Sequence, residues 1–157
     1  MLTKFGLFIP FICFITLFGC KTSEEFKGRD LTSELEDLIE PLLGANYLYG
    51  GTKPSSGLDC SGFTRYIFNK LNIELPRSSS DQAKVGTKVK LSELKSGDLM
   101  FFKQVSKIDH VAIVLSSNRT ETMIAHATSS KGVILEDFKT ASYWKHKFFV
   151  ARRIPNL

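Results

Sequence analysis

The chain has 157 residues and a formal charge of +5, from 21 basic and 16 acidic side chains. Once a leader is removed, that length holds one ordinary domain with a real apolar core, and it excludes a second catalytic domain. The basic excess is spread along the chain with no Lys/Arg run or nucleic-acid motif, which suits an anionic polymer or a membrane surface and disfavours nucleic acid as a partner.

Lys4 gives a short basic start, and Phe5 to Gly19 is almost wholly apolar, interrupted by Pro10 and Thr16. At about 15 residues this run is short of the roughly 20 that a membrane-spanning helix needs, and it fits the apolar core of a signal peptide over residues 1–19. It ends in Leu17-Phe18-Gly19-Cys20, which resembles the lipobox of bacterial lipoproteins, so Cys20 is expected to carry lipid. Phe18 departs from the small residue usual there, and an uncleaved membrane anchor is the competing reading. Lys21 to Arg29 is polar and mixed in charge, a tether that joins Cys20 to a domain expected over 30–157.

In that domain Leu31, Leu35, Leu38, Ile39, Leu42 and Leu43 recur at helical spacing, with Asp30 or Thr32 as N-cap and Gly44 as the stop. Turn residues from Tyr49-Gly50-Gly51 through Pro54-Ser55-Ser56-Gly57 then lead to Asp59-Cys60-Ser61-Gly62. Phe63, Tyr66, Ile67 and Leu71 share one helical stripe, which starts a second helix at or just after Cys60. After Pro76 the chain is polar to Leu94. Extended runs follow, and they predict strands at 98–102, 110–115, 122–127, 133–138 and 148–154, with Gly97-Asp98 as a turn entering the first. Helices first and strands second predict an α+β fold with an antiparallel sheet.

Cys13 lies in the leader and Cys20 is assigned to lipid, so Cys60 is left as a lone thiol in an oxidising compartment. A buried small hydrophobe is the bland reading of such a residue. Its place at a helix start favours a thiolate, through unpaired amides and the helix dipole, and a thiolate attacks carbonyls. A cysteine peptidase also needs an imidazole to take and return the proton, and a polar group to orient it. His110 opens the apolar run His110-Val111-Ala112-Ile113-Val114, either at the sheet's edge in water or facing a site. His126 lies in Met123-Ile124-Ala125-His126-Ala127, and it can orient His110 if the strand register permits, or else is a satisfied core histidine. His146, between Lys145 and Lys147, reads as solvated. One Cys and two His without short ligand spacing make a poor zinc pattern, so no metal or cofactor is expected. The serines lack a G-x-S-x-G setting, which disfavours a serine nucleophile.

Six blocks in order carry a resemblance. They are Tyr47-Leu48-Tyr49-Gly50-Gly51, Gly57-Leu58-Asp59-Cys60-Ser61-Gly62-Phe63, Leu75-Pro76-Arg77-Ser78, Gly97-Asp98-Leu99, His110-Val111-Ala112-Ile113 and His126-Ala127. Together they resemble the NlpC-type cell-wall cysteine peptidases, and among them the small lipoprotein murein endopeptidases of the Spr (MepS) kind. The resemblance implies a papain-like α+β domain, its N-terminal helices packed on an antiparallel sheet of about five to six strands. It also implies Cys60 as nucleophile, His110 as general base and acid, His126 as the orienting third residue and Tyr47 as an active-site tyrosine near the oxyanion. Asp59 and Ser61 match positions that grip the polar groups of the stem peptide, and Arg77 is a candidate partner for a substrate carboxylate. The competing readings are a helix cap for Asp59, a backbone partner for Ser61, a core place for Tyr47 and a surface ion pair for Arg77.

The reaction so implied is hydrolysis of peptidoglycan stem peptides. The D-alanyl to diaminopimelate cross-link is the expected bond, and the γ-D-glutamyl bond to the diamino acid is the alternative. The expected setting is the cell envelope, at an outer membrane facing the periplasm. Two rivals are a thiol acyltransferase or amidase, with an amine in place of water, and a wall-binding lipoprotein without catalysis. Oligomeric state and regulatory partners have no motif here.

Overall fold

The computed structural model describes residues 30–157, so the expected leader, Cys20 and the tether lie outside the described residues. Helix α1 spans Leu31–Ile39 and buries Leu35 and Ile39. It stops short of the expected end at Leu43, because Pro41 has no amide hydrogen to continue the ladder and the chain tightens into a 3-10 turn over Glu40–Leu42. Asp30 stands at the N-cap position without a side-chain capping bond. Gly44 then turns with φ of 79° and donates to Val133 O at 2.9 Å, which ties the segment after α1 to the sheet.

The turn-rich segment forms a small hairpin, β1 (Thr52–Lys53) with β2 (Gly57–Leu58). Helix α2, Cys60–Lys70, follows directly and buries Phe63, Ile67 and Phe68 completely. Each such side chain contributes about 1.5–3 kcal/mol of apolar burial. A short helix α3, Ser79–Gln82, falls in the stretch read only as polar. Its Gln82 is fully buried and donates to Ser61 O at 3.1 Å and Pro76 O at 2.9 Å, which locks the loop carrying Arg77 onto the start of α2.

The remaining strands are β3 (Thr87–Val89), β4 (Leu99–Gln104), β5 (Lys107–Ser117), β6 (Thr122–Thr128), β7 (Gly132–Asp137) and β8 (Phe148–Arg153). They form one antiparallel sheet of six strands in the order β3-β8-β4-β5-β6-β7. The predicted α+β architecture is therefore present, with β3 added at one edge. Strand β5 begins at Lys107, three residues before the predicted start, so His110 lies within the strand rather than at its first position.

Both faces of the sheet are covered. Phe101, Val111, Ile113, Ala125 and Val150 pack with α1 and α2, whereas Met100, Phe102, Ala112, Val114 and Ile124 face the other way. Trp144 and Phe148 pack on this second face, Trp144 coming from helix α4, Ser142–Lys147.

Candidate active site

Helix α2 starts on a built platform. Asp59 is its N-cap, and its Oδ1 accepts from Gly62 N at 2.7 Å and from Ser61 Oγ at 3.0 Å. Its Oδ2 accepts from Gly50 N at 2.9 Å and from Arg77 Nη2 at 2.5 Å, while Arg77 Nη1 reaches Oδ1 at 3.1 Å and Ser61 Oγ at 2.8 Å. One buried carboxylate thus joins the helix start, the Gly50-Gly51 turn and the Arg77 loop. Burial opposes its charge, but the bonds from Arg77 and Gly62 outweigh that and hold the Asp59 carboxyl below the usual carboxylate range. The packing is close: a methyl group at Gly62 would collide with the Gly51 carbonyl oxygen.

Cys60 is the first residue of α2 and only 6 % exposed. Its Sγ donates to Asp109 O at 3.6 Å. That carbonyl is available because the β4–β5 register passes from Phe102↔His110 to Lys103↔Ile108, which makes Asp109 the extra residue of a bulge. The thiol therefore stands against the backbone immediately before His110. Burial, and then the negative charge of Asp59, push the Cys60 thiol up to about 11, against the pull of the Val111 and Ser61 amides. The thiolate expected from the helix start is overridden, and at neutral pH sulfur keeps its proton.

The two histidines meet on neighbouring strands. The register pairs Ile113 with Ala125, which sets His126 diagonally across from His110, and His110 Nε2 lies 3.0 Å from His126 Nδ1. Nδ1 of His110 remains as the nitrogen available to another partner. Trp144 stacks on the His110 ring at 4.3 Å and 20° between planes, and Phe102 packs beside it at 5.8 Å. On the far side of His126, Glu136 Oε2 comes to 3.3 Å of Nε2 but out of hydrogen-bond alignment, so that buried nitrogen has no hydrogen-bond partner among the described residues. Burial depresses both imidazoles. His126 falls to about 4, with Lys131 adding to the effect, and His110 falls well below its usual range, with His126 and Lys147 adding. The resting pair is neutral.

A cavity of about 440 Å³ opens beside His110, with Tyr47, Asp109, His110, Glu136, Trp144 and Lys147 in its wall. A parallel bridge to Leu58 holds Tyr47. Burial raises the Tyr47 hydroxyl pKa, as do the charges that Cys60 and Asp59 can carry, so this phenol stands within electrostatic reach of the thiol. His146 lies apart, exposed, with Nδ1 at 2.7 Å from Ser142 O. Sequence reasoning did not find Asp109, Glu136 or Trp144. Trp144 is the chain's one tryptophan, but the segment around it has no apolar period, and Glu136 reads as an ordinary polar position of a strand. A thiol, an imidazole pair, helix-start amides and a phenol are together groups that can support acyl transfer from a carbonyl.

A model of the NlpC/P60 family matches residues 44–153. The Gamma-DL-glutamyl hydrolase of Bacillus subtilis is 41% identical over 152 residues, covering 96% of this chain and 36% of its own length. The Murein DD-endopeptidase MepS/Murein LD-carboxypeptidase of Escherichia coli is 36% identical over 129 residues, or 82% of this chain and 65% of its own. The chain thus spans between about a third and two thirds of the length of these curated relatives. Among solved structures, a Staphylococcus aureus protein described as similar to lipoprotein, NLP/P60 family, superposes with a TM-score of 0.68 at 30% identity, over 79% of this chain and 41% of its own.

Proposed function

The chain belongs to the NlpC/P60 family, and on that premise we propose that it is a cell-wall cysteine peptidase whose nucleophile is Cys60 and whose general base is His110. The observation that carries this reading is the Cys60 thiol at the head of α2, bonded to the carbonyl just before His110, whose own Nε2 is engaged with His126. Because the resting thiol and imidazole are both neutral, the first step is proton transfer from Sγ to His110 Nδ1 as sulfur attacks the peptide carbonyl. Amides at the start of α2 and the Tyr47 hydroxyl stabilise the oxyanion. The departing amine takes the proton from His110, and the acyl group stays on sulfur as a thioester. His110 then draws a proton from water, which attacks the thioester, releases the acid and returns the thiol.

Asp59, Ser61 and Arg77 act as one bonded unit. Asp59 is consumed within the protein, and Arg77, with its side chain 38% exposed, is the member able to meet a substrate carboxylate. The substrate is a peptidoglycan stem peptide, cut at the D-alanyl to diaminopimelate cross-link, a reading supported by the named activity of the Escherichia coli relative. A second reading, cleavage of a γ-glutamyl bond, is favoured by the relative that matches 96% of this chain. Lipid on Cys20 rests on the lipobox-like run, an outer-membrane location facing the periplasm rests on the resemblance to the small lipoprotein endopeptidases, and the two complete the proposal.

Mass spectrometry of muropeptides digested by the purified protein tests it. Conversion of cross-linked dimers to monomers is expected, with loss of more than about 1000-fold in Cys60→Ala while the domain stays folded. Release between D-glutamate and the diamino acid would select the second reading. Amine-capped products in place of free acids would indicate transfer, and undiminished digestion by Cys60→Ala would overturn the mechanism.

A further inference from the structure

The catalytic reading leaves a polar atom of the histidine pair without a role: His126 Nε2, fully buried, has no hydrogen-bond partner among the described residues, yet a carboxylate oxygen of Glu136 stands 3.3 Å away. We propose that Glu136 is a positioning residue that fixes which nitrogen of His126 carries the proton, and through His126 keeps the lone pair of His110 Nδ1 available to Cys60. The proposal rests on the functional reading above, because it assigns Glu136 a part in the same proton path.

The register places it there. On β7 Ile134 pairs with His126 and Glu136 with Ile124, so Glu136 lies two residues along on the face that carries the His126 ring. The remainder follows from hydrogen-bond chemistry. A carboxylate only accepts, so it selects the His126 tautomer with its proton on Nε2. Nδ1 of that ring is then an acceptor, and the 3.0 Å contact can be a hydrogen bond only if His110 donates from Nε2. A neutral His110 with its proton on Nε2 has its lone pair on Nδ1, the form a general base must have. When His110 takes up the thiol proton, its Nε2–H donates more strongly to His126, and the His126 Nε2–H is drawn towards Glu136 in turn. The 3.3 Å contact, out of line at rest, is placed to tighten at that moment.

The other charged groups facing the pair do not do this. Lys131, on the turn between β6 and β7, and Lys147, on α4, both oppose a positive charge on the imidazoles, and Asp109 adjoins His110 in the wall of the cavity. Cys60 and Tyr47 stand at the thiol end. Glu136 is the acid in contact with His126, and its half-open side chain, 32% exposed in the same wall, means that substitution leaves the core intact.

The first test needs no turnover. Long-range 1H–15N spectra of the resting protein near neutral pH are expected to show His126 protonated on Nε2 in the parent and in Glu136→Gln, whose amide oxygen still accepts, and to show that preference lost in Glu136→Leu. In the kinetic test Glu136→Leu is expected to lower kcat about 10- to 100-fold with KM unchanged, the range found when a group that orients a metal-bound histidine is lost. The acid limb of kcat/KM should also move to lower pH, because the imidazolium has lost an acceptor, and Glu136→Gln should recover most of the rate. A parent His126 protonated on Nδ1 overturns the proposal without any variant, as does Glu136→Leu with parental kcat and an unmoved acid limb. An inactive parent with the predicted tautomer would count against the catalytic reading and leave the tautomer assignment standing, so the two failures are distinguishable.

Discussion

Cys60 and His110 are both driven towards their neutral forms, the thiol up to about 11 and the imidazole well below its usual range, and in each case burial is the largest cause. The proposed pair works when sulfur holds its proton and His110 does not. That state is populated above the depressed imidazole pKa and below the raised thiol pKa. The kcat/KM profile is therefore expected to have its acid limb clearly below the ordinary imidazole value near 6.5 and to stay flat through neutral pH towards about 11. Iodoacetamide should alkylate Cys60 slowly at neutral pH, with a rate that climbs into the alkaline range. A thiolate poised near neutrality would instead give fast alkylation with a plateau around pH 7, and this would contradict the environment described for the thiol.

At the scale of elements, the start of α2 and the bulge in β5 decide where the thiol sits. Asp59→Ala removes the Gly62 cap, the tie to Gly50 and the partner of Arg77 together. It is expected to cost about 1–3 kcal/mol in denaturant unfolding and to lower kcat by misplacing Cys60, with parental stability as the contrary result. Helix α2 was legible because Phe63, Tyr66, Ile67 and Leu71 keep a helical stripe behind a good capping residue, and the long strands were legible from their apolar alternation. The bulge was not, since one extra residue at Asp109 is fixed by pairing with β4 and leaves no mark on the pattern of β5. Helix α4 was hidden for another reason. Ser142–Lys147 buries no residue completely, so it has no apolar period to read, although its Trp144 covers His110. The thiolate expectation failed on a quantity that spacing does not carry, the depth at which the helix start is buried.

The whole molecule stores part of its stability in two buried neutral histidines. Unfolding returns each to an ordinary pKa, so between that value and the depressed folded one the unfolded chain binds more protons and stability falls as pH falls. For His126, held to about 4 in the folded state, the loss begins near 6.5 and amounts to roughly 3 kcal/mol once the pH is below about 4. His110 adds a loss of the same sign, and Asp59, whose folded carboxyl is depressed, adds its own at lower pH still. Urea midpoints are therefore expected to drop steadily from pH 7 to pH 4, with a shallower drop in His126→Gln; a flat profile would contradict the buried neutral pair. The sheet explains why the meeting of the two histidines could be anticipated. His110 and His126 sit on strands whose apolar runs were readable, and adjacency of β5 and β6 suffices to bring them together. The contributions of Glu136 and Trp144 depend on how β7 and α4 close over that pair, which local pattern does not encode. The most direct measurement of the central claim is acid quenching during turnover of muropeptide substrate, followed by peptide mapping. An acyl adduct of stem-peptide mass is expected on the fragment that contains Cys60 and absent from His110→Ala, whereas substrate consumption by the parent with every adduct on another residue would contradict the account.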